Sequence, residues 1–465
     1  MVDVPSALPM LRFQSFGLVL VTVLAAVSTT LVLLQPVEPQ DGLQYWTFDR
    51  SHAQVASAAA ANWNPRHPDL PVRVTTLTGP TLLTRMLSGF YSDTPVGDMI
   101  EVERGQIGQV FAGPVQDIGF VDLTDRIDRD GLRAAINAPS LSPWSLHGRN
   151  YGLPHDVHPT MLLYRSDLVE AAGIDVRQIE TWDDYFRVMR PLFRDHDGDG
   201  RPDTYLLNTS PTNMGAHEVM LLQAGGGMFD AAGQPVLNSE INVRTVARMV
   251  VWMAGPNRMT ADAPVSGPSA IKLAGEGYML AFLAPDWFAG AIKKELPNLA
   301  GKLKFMPLPA WERGGRRTSV LGGTMVGITK ACRQPDEAWA FIKHLYFAPE
   351  TARRLYATFC IVSPIKSNWS LACYDEPDPY FSGQPVGRLF LNLAGDVPER
   401  IPSPFYASAT TVLSAAIVGS CRHVDRHGIT DPAAVEPEVR RRLDAAQAEL
   451  LGIMQRNVLV AGRAP

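Results

Sequence analysis

The chain opens on one unbroken apolar run, FGLVLVTVLAAVSTTLVLL (16–34). Only after it do short apolar stretches begin to alternate with amphipathic ones. At about 1.5 Å of rise per residue, a helix over this run just spans a hydrocarbon core of roughly 30 Å. Arg12 precedes the run and QPVEPQDG follows it, with no lipobox cysteine and no clean A-x-A cleavage site. Two readings stay open: an uncleaved membrane anchor, or a signal peptide with an unusual cut site. Either one puts the rest of the chain in the periplasm or on the outer face of the cell membrane.

Beyond the run, the pattern predicts a strand at 44–48, a helix at 53–62, a strand at 71–79, a helix at 82–87 and a strand at 98–102. Strands alternating with helices predict a parallel sheet with covering helices. Ligands in such sheets bind beyond the carboxyl ends of the strands. That rule singles out Asp49 and Arg50 after the first strand, and Glu101 and Glu103 at and past the third. Farther on, 161–164 reads as a strand and SDLVEAAG (166–173) as a helix closed by Gly173. TWDDYFRVMRPLFR (181–194) begins with a cap-like T-x-x-D, and its Trp182, Tyr185, Phe186 and Met189 form a core stripe. PDEAWAFIKHLYF (335–347) and the segment 438–457 are further helices.

With 465 residues, 46% of them apolar, the chain can build two lobes with separate cores. The net charge of −5 and the lack of any basic run exclude a nucleic-acid binder. The four cysteines are Cys332, Cys360, Cys373 and Cys421. An even number in an exported chain suggests disulfides, with Cys360 and Cys373, close in sequence, as one pair and Cys332 with Cys421 as the remainder. Sequence alone allows three connectivities, and no C-x-x-C spacing supports zinc.

One stretch carries metal chemistry in its spacing. In DHDGDGRPD, Asp195, Asp197 and Asp199 take the first, third and fifth positions of an EF-hand-type loop. The Arg201 carbonyl would be the seventh ligand position and Asp203 the ninth. Leu206 stands where the bidentate glutamate belongs, and Pro202 breaks the pattern of a switching helix pair. The expectation is a structural calcium clip, with a plain acidic loop as the alternative.

HGRNYGLPHDVHPTMLLYRSDLVEAAGI (147–174) contains His155, Asp156 and His158 in a connector between two strands, which suits polar crossover residues better than a metal site. Together with FDRSH (48–52), GDMIEVERGQIGQVFAGPVQDIGFVDLTD (97–125), LLQAGGGMFDAAGQPVLNS (221–239), EGYMLAFLAPDW (276–287), MPLPAW (306–311) and LGGTMVGITK (321–330), it resembles family 1 extracellular solute-binding proteins of ABC-type importers, the sugar-binding group. The order and spacing of the fragments carry the likeness over about residues 43–455. It implies an α/β, two-lobed periplasmic binding protein fold of type II-like architecture, hinged on crossover strands and preceded by an N-terminal transmembrane or signal helix. The implied division is 1–40 signal peptide or anchor, 41–155 and 321–362 N-lobe, and 156–320 and 363–465 C-lobe.

The implied function is capture of a sugar or oligosaccharide between the lobes and delivery to permease subunits, by a chain expected to be monomeric and not an enzyme. The cleft positions that carry over are Asp49, Arg50, Glu101, Glu103, Asp156 and His158, with Trp287 as the stacking ring. Gly322 and Gly323 sit where backbone approaches closely. A carbohydrate hydrolase using Glu101, Glu103 and Asp156, and an anchored solute sensor, are the rival readings. The clip reading has a direct test. Chelation of calcium is expected to lower the melting temperature without abolishing ligand binding; an unchanged melting temperature rules the clip out.

Overall fold

The computed structural model describes residues 10–34, 41–92, 94–195, 198, 202–263 and 268–456. The chain divides into two units, Met1–Gly42 and Leu43–Pro465. In the first, Met10–Leu34 is one helix, whose side chains are described over 17–30. Among the described residues no helix is long and apolar enough to cross a membrane.

Among the described residues the second unit contains eleven short strands: β1 (Leu43–Thr47), β2 (Val72–Thr76), β3 (Met99–Glu103), β4 (Ser145–Leu146), β5 (Arg149–Asn150), β6 (Leu153–Pro154), β7 (Pro159–Arg165), β8 (Ala281–Ala284), β9 (Leu303–Pro307), β10 (Ser319–Val320) and β11 (Thr324–Ile328). The first lobe is built on a five-stranded sheet of order β2-β1-β3-β11-β6. β1 pairs in parallel with β2 and β3, and the late strand β11 enters antiparallel to β3 and β6. The second lobe is built on β7, flanked by β8, β9 and β10, all antiparallel to it. β4 and β5 form a separate hairpin.

Successive strand side chains point to opposite faces, and in both sheets both faces are covered. On β1 and β3, Tyr45 and Met99 join a core with Val55, Ala59, Ile342 and Leu345, while Trp46, Ile100 and Val102 join another with Leu82, Met86 and Phe120. On β7, Leu162 and Tyr164 face the helices Trp182–Met189 and Glu240–Met253, and Met161 and Leu163 face the opposite core. Doubly covered strands need apolar side chains at every position, which is why their sequences read as continuous runs. The long helices Tyr406–His427 and Pro432–Arg456 complete the second lobe against Glu240–Met253.

The cap-like TWDD is a full capping box, in which the Thr181 and Asp184 side chains each serve the other's backbone N–H. The segment 181–194 is not one helix, however. It tightens to a 3₁₀ turn at Arg190–Leu192, where Pro191 cannot supply a backbone donor. In the acidic loop, the Gly198 N–H donates to Asp195 Oδ1 at 2.7 Å. Of the other proposed calcium ligands, Asp197, Asp199 and Arg201 lie outside the described residues, and the Asp203 N–H bonds the Arg194 carbonyl.

The expected disulfides are not formed: all four cysteines are free thiols. Cys332 is buried in the first lobe and Cys421 in the second, in separate cores, so they cannot meet. Cys360 ends the helix Pro349–Phe359 in a left-handed conformation, φ 58°, and its thiol is pushed up to about 12 by burial, which makes it an inert apolar side chain. Cys373 is half-buried in the 3₁₀ turn Ala372–Tyr374. Sequence proximity misled here because each thiol is absorbed by packing.

Trp182 is fully buried, and its Nε1–H donates to Gln223 Oε1 at 3.0 Å. Trp182→Ala is expected to cost about 3–5 kcal/mol through the cavity it leaves, read as a lower denaturation midpoint. A midpoint equal to wild type would show that this core does not limit stability.

Candidate functional site: the cleft and its hinge

A cavity of about 830 Å³ lies between the two lobes. Phe48, Asp49 and His52 line it from the start of the helix Arg50–Trp63, and Glu103 from the end of β3. His158, Gly322 and Gly323 line it from the crossovers, and Trp287 from the helix Asp286–Glu295. Lys272, Lys294 and Glu295 add charge on the second lobe's side.

Six of the nine residues expected at the site line this cavity, and three do not. Arg50 is exposed and off the cleft, because Asp49 caps the helix and turns the next residue outward. The Asp49 carboxylate accepts from Ser51 N at 2.7 Å and His52 N at 3.3 Å while its residue still lines the cleft. Glu101 and Asp156 are buried beneath the floor, 1% and 3% exposed. Glu103 lines the cleft with one oxygen on the Gly105 N–H at 2.7 Å. Its pKa is raised, by burial above all and against the pull of Arg400.

Trp287 packs against the apolar clusters of both lobes. Its Nε1–H donates to the Leu321 carbonyl at 3.1 Å, and its backbone N–H to Asp286 Oδ1 at 2.9 Å. Gly322 and Gly323 have φ of 93° and 124°, and a Cβ on Gly322 would stand 2.8 Å from Trp287 Nε1. Gly322 lets the second crossover pass under the indole, while a Cβ on Gly323 would meet Arg104 at 3.3 Å. Near this crossover, the short helix Ile107–Val110 meets the segment before Tyr406–His427. A Cβ on Gly108 would lie 2.2 Å from the Ser403 carbonyl oxygen.

Three segments link the lobes: 155–158, 321–323 and 360–364. A line of buried charge runs through them. Glu101 accepts from Tyr45 at 2.6 Å, from Tyr346 at 3.2 Å and from Thr47. His52 Nδ1 lies 3.0 Å from Glu101 Oε2, and His52 Nε2 faces His155 Nε2 at 3.1 Å. Asp156 Oδ2 lies 2.5 Å from His155 Nδ1 and 2.7 Å from His158 Nε2, in charge contacts off the ideal hydrogen-bond direction. His158 Nδ1 bonds Asp286 Oδ1 at 2.5 Å, and Asp286 Oδ2 accepts from Val362 N at 2.9 Å. Asp156 Oδ1 also receives a long bond, 3.4 Å, from Thr324 N.

Burial opposes the charges on Glu101, Asp156, His158 and His52, and partners override it. Desolvation alone would raise Glu101, but His52 brings it down to about 2. Asp156 is likewise held far below the carboxylate range by His158 and then His155. Burial would lower His158, yet Asp156 and Asp286 raise it to about 10. Both of its ring nitrogens are therefore committed, and His158 offers the cleft a fixed positive charge and a ring edge, not a free N–H. Among the described residues, His52, Glu101 and His155 form one converging group of metal-ligating types. Their nitrogens and carboxylate engage one another directly.

Sequence reasoning missed His52 and Asp286, and placed His155 only as a polar crossover residue. His52 lies one helical turn past the capping Asp49, and Asp286 adjoins Trp287 in APDW; both signals were in view.

Two α/β lobes, linked by three segments and separated by a lined cleft, define a hinged capture protein. The chain belongs to the bacterial extracellular solute-binding protein family, which matches residues 50–352. It is 27% identical over 371 residues to the arabinooligosaccharide-binding protein of Bacillus subtilis (strain 168), covering 78% of this chain and 82% of that one. A crystal structure of an extracellular solute-binding protein of family 1 superposes with TM-score 0.70 at 20% identity, over 87% of this chain and 99% of that one. The ABC transporter-associated binding protein of B. animalis subsp. lactis Bl-04, in complex with β-1,6-galactobiose, gives TM-score 0.68 at 18% identity, over 90% and 99%.

Gly322→Ala puts a methyl against the indole at a positive φ. It is expected to cost about 1–3 kcal/mol of stability and to shift the intrinsic fluorescence. Wild-type values of both would mean that the indole does not rest on this backbone.

Proposed function

We propose that the protein captures a short carbohydrate in the interlobe cleft, closes over it by hinge motion, and delivers it to the permease of an ABC importer outside the cytoplasm. The observation that carries this reading is Trp287. Its ring lines a cavity of about 830 Å³ while packing on both lobes and hydrogen-bonding a crossover carbonyl. A flat apolar face beside charged groups suits a sugar, whose C–H surface stacks and whose hydroxyls bond. Cavities of this size hold small ligands, and the relatives named above bind oligosaccharides by their descriptions.

The same geometry argues against bond cleavage. A glycosidase flanks the scissile bond with two carboxyl groups. Here Glu101 and Asp156 are sequestered in the hinge, and Glu103 is the one of the three that lines the cleft. The N-terminal apolar run would serve as export signal or anchor, which leaves delivery at the outer membrane face or from the periplasm.

A thermal-shift screen against arabino-, galacto- and malto-oligosaccharides with their monosaccharides tests the proposal. At least one oligosaccharide is expected to raise the melting temperature in a concentration-dependent way. Trp287→Ala is then expected to lose at least about 1 kcal/mol of affinity for that sugar by calorimetry. A panel without any shift, or release of shorter sugars from the oligosaccharides, would overturn the reading.

A further inference from the structure

The three hinge histidines have six ring nitrogens. Four face carboxylate oxygens: His52 Nδ1 on Glu101, His155 Nδ1 on Asp156, and both nitrogens of His158 on Asp156 and Asp286. A bare nitrogen lone pair against a carboxylate at these distances is repulsive, so each of the four carries a proton. The remaining two, His52 Nε2 and His155 Nε2, face each other at 3.1 Å and have room for one proton between them. Three rings thus carry five protons, two more than three neutral imidazoles. Glu101, Asp156 and Asp286 set three negative charges against these two positive ones, out of water.

We propose that His52 and His155 form a proton-binding site in the hinge, sharing one proton between their facing Nε2 atoms, and that the join between the first lobe and the crossovers depends on it. The inference goes beyond solute capture and does not depend on which solute is bound. His52 stands on the helix Arg50–Trp63 of the first lobe, and His155 on the first crossover. Asp156 reaches the start of β11, just past the second crossover, through Thr324 N, and Asp286 the third crossover through Val362 N. Loss of the shared proton sets two lone pairs head to head. That loss removes the bond that joins the first lobe to the rest of the line.

The groups around the site are few. Around His52 stand Glu101 from β3, Asp49 from its own N-cap and, farther off, Asp156. His155 meets Asp156 and the Tyr346 ring at 5.8 Å. Glu101 is fixed in turn by Tyr45, Thr47 and Tyr346. The carboxylates stand behind the rings at Nδ1, so only two nitrogens converge, which suits a proton and not a four-coordinate ion. His52 is 10% exposed and lines the cleft, so protons can reach the site from there.

The pH window follows from the partners. Burial lowers His52, but Glu101 outweighs it and its pKa is raised above 6.5. That stabilisation is complete below 6.5 and is lost as pH rises through the raised value. Glu101 is lowered to about 2, so its share is present above 4.5 and is lost only as pH falls toward 2. The contribution of the pair therefore fades as pH rises above 6.5.

Two measurements on the unliganded protein test this, so that failure of the sugar reading leaves them untouched. In ring-¹⁵N spectra of histidine-labelled wild type at about pH 6, the Nε2 atoms of His52 and His155 are expected to show scalar coupling across one shared proton, while both ring nitrogens of His158 carry protons. Spectra without that coupling overturn the proposal. His155→Gln keeps a donor for Asp156 but cannot share a titrating proton. The melting-temperature gap between wild type and this variant is expected to narrow from about pH 6 to about pH 9. A gap that stays constant across that range overturns the proposal.

Discussion

Everything about this hinge depends on charges that have no water to solvate them. An ion pair taken out of water pays several kcal/mol per ion unless partners and hydrogen bonds replace the solvent. Asp156 meets that demand with two imidazoles, and Asp286 with one imidazole and two backbone N–H groups. Glu101 meets it with His52 and three hydroxyls. Removing any one member strands its neighbour, and such stranding is costlier than the pair is worth. The line therefore fixes how the linking segments lie against each other, and with them where the cleft wall stands.

The cleft itself is assembled from groups held by that line. Asp286 holds the Trp287 backbone, His158 holds Asp286, and Gly322 of the second crossover leaves space for the indole. The solute-facing surface thus has a rigid backing made of hinge residues, as a site needs if its geometry is to be kept through closure. The two lobes have separate apolar cores, so each can move as a unit while the segments between them change.

Much of the fold was legible in the sequence. Strands covered on both faces read as apolar runs, and QYWTF, DMIEV and MLLY all fall within one residue of β1, β3 and the middle of β7. The capping box at Thr181 was legible because its chemistry is local. Trp287, Gly322, Gly323, Asp49, Glu103 and His158 line the cleft as their positions in the chain suggested. Glu101 and Asp156 were misjudged because residue type says nothing of what lies behind a strand end. The hydroxyls around Glu101 come from residues 45, 47 and 346, and no local pattern joins them. The cysteines misled for the same reason: their burial is set by tertiary packing, not by the spacing between them.

The near-touch between the two lobes at Gly108 has a consequence of its own. There the absent side chain of one lobe is matched to a single carbonyl of the other. The fit works like the clearance between a door and its frame. Even one added carbon would act as a doorstop, propping the halves apart without touching the residues that meet the guest. Position 108 is thus a place where the extent of swing could be adjusted independently of what the protein recognises.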